Sequence, residues 1–185
     1  MTVIVGLRAD DGVYLGCDSQ GSAGWNKTHR KDPKIFIAHG IGYGFTSSYR
    51  MGQIIRYHST EVLSNLRESD LYGYVVTGLV PMYRQILGDH GYKATVNGEE
   101  SGGTFLIAID GRLFKIEGDF QVAESHECYD SVGCGASFAL GSLYTQDKKK
   151  SPKNIIKEAI ESAMNFSNGC GIKAHRMPCG EPGPG

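Results

Sequence analysis

The chain has 185 residues, 40% of them hydrophobic and 21% charged, with a formal net charge of −1. That length suits one domain with a sizeable core, and the balanced charge argues against nucleic acid as a partner, which needs an excess of Lys and Arg on one face. No run approaches the roughly 18 apolar residues of a membrane span, and the apolar run from Val3, closed by Arg8, is too short for a secretion signal.

Val3 to Leu7 and Val13 to Cys17 flank an Asp-Asp-Gly turn and predict a β-hairpin that begins almost at the first residue. Residues 19 to 33 are polar and Gly-rich and predict a long loop. Lys34 to Ala38 and Ile41 to Phe45 predict two further strands around a His39-Gly40 turn. A helical stripe then runs through Met51, Ile54, Ile55, Val62, Leu63 and Leu66, with Ser47 or Ser48 as its cap. A second helix starts near Asp70, with Leu71, Val75, Leu79, Met82 and Ile86 on one face, and Pro81 is expected to kink or break it.

A Gly-rich loop spans Asn97 to Gly103. Thr104 to Ile109 and Leu113 to Ile116 flank Asp110-Gly111, a second hairpin signal, and Phe120 to Ala123 and Tyr129 to Val132 read as strands. A third helix follows Gly135, with Ala136, Ala139, Leu140 and Leu143 inward. A fourth starts at Ser151-Pro152, with Ile155, Ile156, Ala159, Ile160 and Ala163 inward. Strands in blocks, then helices in pairs, do not make the βαβ alternation of a parallel sheet. The expected fold is α+β, a four-layer αββα sandwich of two antiparallel sheets flanked by helix pairs. Residues 1–168 form its single domain, and residues 169–185, Gly/Pro-rich, are expected to be a disordered tail.

Five cysteines, at 17, 128, 134, 170 and 179, make an odd set with no framework spacing. Reduced thiols and an intracellular, cytoplasmic location are expected. Cys170-x4-His175-x3-Cys179 lies in the tail, and His126-x-Cys128 near Cys134 lacks a fourth ligand, so no metal and no cofactor are expected. The run Lys148-Lys149-Lys150 reads as a solvated loop.

Thr2 bears a small side chain, so an aminopeptidase can remove Met1. Thr2 would then carry a hydroxyl and a free α-amine on one residue, and an N-terminal amine of pKa about 7.7 to 8 can act as the base that the hydroxyl needs. Asp18 closes the second strand and Lys34 opens the third, so the hairpin can bring both beside Thr2.

These residues carry a resemblance. The chain resembles proteasome β-subunits, and more closely the smaller bacterial HslV-type peptidases. The opening T-V-I-V-G is similar to the family's T-T-I-V. Asp18 follows Thr2 by 16 positions and Lys34 follows it by 32, the family spacing of its catalytic Asp and Lys. Asp18-Ser-Gln20-Gly-Ser22-Ala-Gly24 resembles D-G-Q-A-T-L-G, Gly44-Phe45-Thr46-Ser47 resembles G-F-A-G, and Val132-Gly133-Cys134-Gly135 resembles V-G-S-G. The segment SPKNIIKEAIESAMN resembles the family's closing helix.

The resemblance implies a threonine-type N-terminal nucleophile (Ntn) hydrolase. Thr2 would be the nucleophile and its amine the base. Lys34 would tune both, and Asp18 would hold Lys34. The Ser47 backbone N–H would be the oxyanion donor. Ser22 would pair with substrate backbone, and Phe45 and Tyr49 would line the pocket for the residue before the cleaved bond. It also implies a homo-oligomeric ring around a chamber, a peptide or unfolded protein as substrate, and an ATP-dependent unfoldase as a partner the family can use.

The chain departs from the pattern at three places. Ser47 replaces a Gly, Cys134 replaces a supporting Ser, and Asn165 replaces an Asp near the amine, with Asn168 at a Ser of some members. Two other readings therefore stand beside the peptidase: a catalytically impaired assembly protein, and an amidohydrolase acting on a small amide.

Overall fold

The computed structural model of the protein describes residues 1–61, 66–147 and 149–179. The chain opens with β1 (Ile4–Ala9), β2 (Gly12–Asp18), β3 (Gln20–Ala23), β4 (Asn26–His29), β5 (Ile35–Ala38) and β6 (Ile41–Phe45). Helices follow: α1 (Tyr49–His58), α2 (Leu66–Ser69), α3 (Leu71–Tyr74), a π-helical turn (Val75–Leu79) and α4 (Val80–Asp89). Next come β7 (Ala94–Val96), β8 (Glu99–Ser101), β9 (Phe105–Ile109), β10 (Arg112–Ile116), β11 (Val122–Glu124) and β12 (Tyr129–Val132). The chain continues through α5 (Ala136–Tyr144) and α6 (Pro152–Phe166) to β13 (Ala174–Cys179).

Two antiparallel sheets organise the molecule, one in the order β12-β1-β2-β13 and one in the order β11-β10-β9-β6-β5. Their strand faces follow the period of two. Val3, Val5 and Leu7 face Ile156, Ala159, Ile160 and Ala163 of α6 and Ala139 and Leu143 of α5. Ile4 faces the other way. With Val13, Leu15 and Cys17 it meets Ile35, Leu106, Ala108 and Leu113 of the second sheet. The far side of that sheet, with Phe36, Tyr43, Phe45, Phe105, Ile107 and Phe114, packs on Met51 and Ile55 of α1 and on Tyr83 and Leu87 of α4. Each buried Val, Leu, Ile, Phe or Met among them contributes about 1.5–3 kcal/mol. The sheets meet closely at Gly44, where a Cβ would overlap the Ile4 side chain.

Hairpin turns fix the register. Ile109 pairs with Arg112 across Asp110-Gly111, and Ala38 pairs with Ile41 across His39-Gly40. All four turn residues have positive φ, which gives the twist that adjacent antiparallel strands need. Asn97-Gly98 does the same between β7 and β8, where a loop is expected from sequence.

Several expectations change. Residues 19 to 33 are not one loop: β3 and β4 form a hairpin with its own register, Gln20↔His29 to Ala23↔Asn26. The first helix stops at His58, with Ser59 extended, so its stripe does not continue to residue 66; Val62 and Leu63 lie outside the described residues. Pro81 does not break the second helix. The chain widens to a π-turn just before it, and the Val80 N–H reaches back to the Val75 carbonyl. That wider turn eases the clash between a proline ring and the carbonyl of the preceding turn. Finally, Ala174–Cys179 is not disordered but pairs with β2, from Ala174↔Asp18 to Cys179↔Val13. Pro178 lacks an N–H, which an edge strand tolerates. Lys148 and residues 180–185 lie outside the described residues.

Candidate active site

Thr2 is tied down on both sides. Its carbonyl accepts from the Gly135 N–H at 3.3 Å and its own N–H points at Cys134 Sγ at 3.2 Å. The next N–H, of Val3, donates to Asp18 Oδ1 at 3.0 Å. Thr2 is only 5% exposed. Its hydroxyl donates to the Met1 carbonyl at 2.6 Å, so with Met1 in place the hydroxyl is engaged and the Thr2 nitrogen is an amide.

Behind Thr2 lies a buried ion pair. Lys34 Nζ donates to Asp18 Oδ1 at 2.7 Å, with the lysine 1% and the aspartate 0% exposed. Charges this deep persist only when the remaining lone pairs are satisfied. Asp18 Oδ2 accepts from the Gln20 N–H at 3.2 Å and from the Gly171 N–H at 3.1 Å. The carboxylate therefore joins the residue before β1, the start of β3 and the loop after α6. The spacing in the sequence works because β1 and β2 are antiparallel neighbours, and because β5 begins one residue after Lys34.

Thr2, Ser22, Lys34, Phe45, Thr46, Ser47, Ser48 and Tyr49, with Met1, line a cavity of about 250 Å³. Phe45 and Tyr49 meet edge to face with centroids 5.8 Å apart, and the Arg30 guanidinium covers the Tyr49 ring at 3.9 Å. The Tyr49 hydroxyl is buried without a protein partner among the described residues, and burial pushes its pKa up. Ser22 Oγ accepts from the Gln20 side-chain amide at 2.8 Å.

Ser47 has φ of +71°, and the Ser48 N–H closes a γ-turn over it by donating to the Thr46 carbonyl at 2.9 Å. Such turns are rare and strained for a residue with a Cβ. The turn leaves the Ser47 N–H with no protein acceptor among the described residues. Ser48, not Ser47, caps α1, accepting from the Arg50 N–H at 3.1 Å.

Asn165 is not brought to the site. It is exposed on α6, two residues past the inward Ala163 and so on the opposite side of the helix. The residues after α6 that reach Cys134 are Ser167, whose Oγ lies 3.7 Å from Cys134 Sγ, and Cys170, whose Sγ lies at 3.8 Å. Asn168 is exposed, and its carbonyl accepts from Gln20 at 3.2 Å. Ser167 and Cys170 were not singled out for the site by sequence, yet the inward stripe of α6, prolonged by one turn, points at position 167. Burial pushes the Cys134 thiol up, but hydrogen bonds from the Thr2 N–H, Ser167 and Cys170 outweigh it and hold its pKa below the ordinary value. Burial and the Asp18 charge push the Cys170 thiol up to about 12. Cys179 faces the core between the sheets, away from Cys170. Among the described residues no cluster of His, Cys, Asp and Glu could hold a metal ion, and no helix is long and apolar enough to cross a membrane.

No protein-family model and no curated protein matches the sequence. Solved structures do match. A structure described as Thiobacillus denitrificans BPH in complex with epoxomicin superposes with a TM-score of 0.76 at 17% identity, covering 96% of this chain and 98% of its own. Eukaryotic HslV from Trypanosoma brucei matches with a TM-score of 0.68 at 16% identity, over 95% of this chain and 97% of its own. The chain has the fold of HslV. An Anbu Gly-1 mutant from Hyphomicrobium sp. strain MC1 matches at 0.66 and 15%, over 96% of this chain and 81% of its own.

Proposed function

We propose that the protein is a threonine-type endopeptidase that works from Thr2 once Met1 is removed. The observation that carries this reading is the fully buried Lys34–Asp18 pair packed behind a pinned Thr2 in the wall of one cavity. The fold it shares with HslV supports the reading. The three apolar clusters support a four-layer αββα sandwich as its frame.

In this mechanism the freed Thr2 amine takes the proton of its own hydroxyl, and Oγ attacks the peptide carbonyl. The Ser47 N–H receives the developing oxyanion, a contact worth about 3 kcal/mol in the transition state. The amine then gives its proton to the leaving nitrogen, and an ester to Oγ remains. Water, activated by the same amine, hydrolyses that ester. Phe45 and Tyr49 favour an apolar or medium-sized side chain before the cleaved bond. A homo-oligomeric ring enclosing the sites, fed with unfolded chains, is the assembly in which such a small open cavity would be selective.

The test is the intact mass of the purified protein before and after treatment with epoxomicin, whose epoxyketone needs a hydroxyl and a free amine on one terminal residue. A chain without Met1 that gains one inhibitor, and loses that gain in Thr2→Ala, supports the reading. A chain that keeps Met1, or one without Met1 that never gains mass, overturns it in favour of a non-catalytic assembly protein.

A further inference from the structure

Two sulfurs meet beside the Thr2 nitrogen. Cys134 Sγ lies 3.8 Å from Cys170 Sγ and 3.2 Å from the Thr2 N–H it accepts. Both cysteines are free; Cys134 is exposed and Cys170 is buried. Their backbones approach through paired glycines. A Cβ added at Gly135 would lie 2.7 Å from Cys170 Sγ, and one added at Gly169 would overlap Cys134 Sγ. Each cysteine therefore occupies space that a glycine beside the other leaves open. To bond, the two sulfurs must close from 3.8 Å to the roughly 2.05 Å of a disulfide.

We infer that Cys134 and Cys170 form a hydroperoxide-oxidisable dithiol whose disulfide switches off the Thr2 site. The switching half rests on the reading of Thr2 given above; the thiol chemistry does not. Exposed Cys134, with its lowered pKa, supplies the thiolate that attacks a peroxide, while buried Cys170 stays a neutral thiol until called on.

The step balances. The Cys134 thiolate attacks one peroxide oxygen, the O–O bond breaks, and hydroxide leaves. Sulfur becomes a sulfenic acid as the peroxide is reduced. The Cys170 sulfur then attacks the sulfenic sulfur, its proton passes to the departing oxygen, and water leaves as the S–S bond forms. Two thiols lose two electrons and two protons, and one hydrogen peroxide becomes two waters. In the disulfide, Cys134 Sγ is drawn toward Cys170 and away from the Thr2 nitrogen. The amine then loses an acceptor that holds it in place for proton transfer.

The experiment treats the full-length protein with a few equivalents of hydrogen peroxide, then blocks free thiols and maps peptides by mass. The expected result is a Cys134–Cys170 cross-link that dithiothreitol reverses. It is absent in Cys170→Ala and Cys170→Ser, where dimedone instead traps a sulfenic acid at Cys134. Peptide hydrolysis by the oxidised wild type should fall at least tenfold and return on reduction. Oxidation at Cys134 with no cross-link, or a cross-link that leaves hydrolysis within twofold, overturns the inference. If the reduced protein hydrolyses nothing and takes no epoxomicin, the peptidase reading fails, while the mapped cross-link still decides the thiol chemistry.

Discussion

Replacing Lys34 by Met tests whether the Asp18–Lys34 pair is held as a buried unit. The methionine keeps most of the volume and removes the charge. Asp18 then retains N–H donors from Val3, Gln20 and Gly171 but loses the one cation that pairs with it among the described residues, Lys34 at 2.7 Å. Leaving one buried charge uncompensated costs about 3–5 kcal/mol. At about 2–4 °C per kcal/mol for a chain of this size, Tm should fall by roughly 6–20 °C. Asp18→Asn should cost a similar amount, because its amide NH₂ must face N–H donors and Lys34 is left alone. In the double variant neither charge of the pair remains, so the loss should fall short of the sum by about 2 kcal/mol or more. The assay is urea unfolding of all four proteins at one fixed concentration, followed by far-UV circular dichroism. Additivity within about 0.5 kcal/mol would refute the reasoning, for it would mean that the two charges do not depend on each other.

Ser47→Gly relieves the positive φ at the γ-turn and should raise Tm by about 2–4 °C, from a gain of about 1 kcal/mol; thermal unfolding by calorimetry checks it. Tyr83→Phe leaves the buried Tyr43 hydroxyl, now 3.0 Å from its donor, without that donor. It should cost about 1–3 kcal/mol, and adding Tyr43→Phe should recover part of the loss in the same urea assay. His175 on β13 has its pKa lowered by burial and then by the Lys173 charge; His29 and Lys34 lower it further and Asp18 opposes them. The unfolded strand therefore binds more protons, so stability is full above the ordinary pKa of about 6.5 and is lost as pH falls below it. Protection factors of the β13 amides, which divide out the intrinsic pH dependence of exchange, should fall as pH drops through that window in the wild type and not in His175→Gln; pH-independent protection in the wild type would count against this assignment.

Strong local signals carried the larger part of the fold. Asp110-Gly111 and His39-Gly40 stand between apolar runs, and both turns form where those runs place them. Asn97-Gly98 carries the same turn chemistry but joins two strands of only three residues each, none of them buried, so no extended apolar run marks them in the sequence. The hairpin of β3 and β4 is hidden for the same reason, since Asn26–His29 is exposed throughout. In β13 the Gly/Pro-rich surroundings masked a short edge strand whose Cys179 is buried between the sheets. At the site, hairpin geometry places Asp18 and Lys34 beside Thr2, while Ser22, Phe45, Ser47 and Tyr49, which the family resemblance implies, share one cavity wall with Thr2. Asn165 went astray because a motif match two residues out of phase on a helix turns a side chain through roughly 200°.

The attachment of β13 to β2 has a consequence for biosynthesis. Asp18 needs the Gly171 N–H, and the β2 edge beside it needs Ala174 to Cys179, although more than 150 positions separate these partners along the chain. A growing polypeptide can lay down the β1–β2, β3–β4 and β5–β6 hairpins and still lack a group that satisfies the buried carboxylate. The buried Asp18–Lys34 pair therefore stays incompletely satisfied, and the edge of β2 unpaired, until residues 171–179 have left the ribosome.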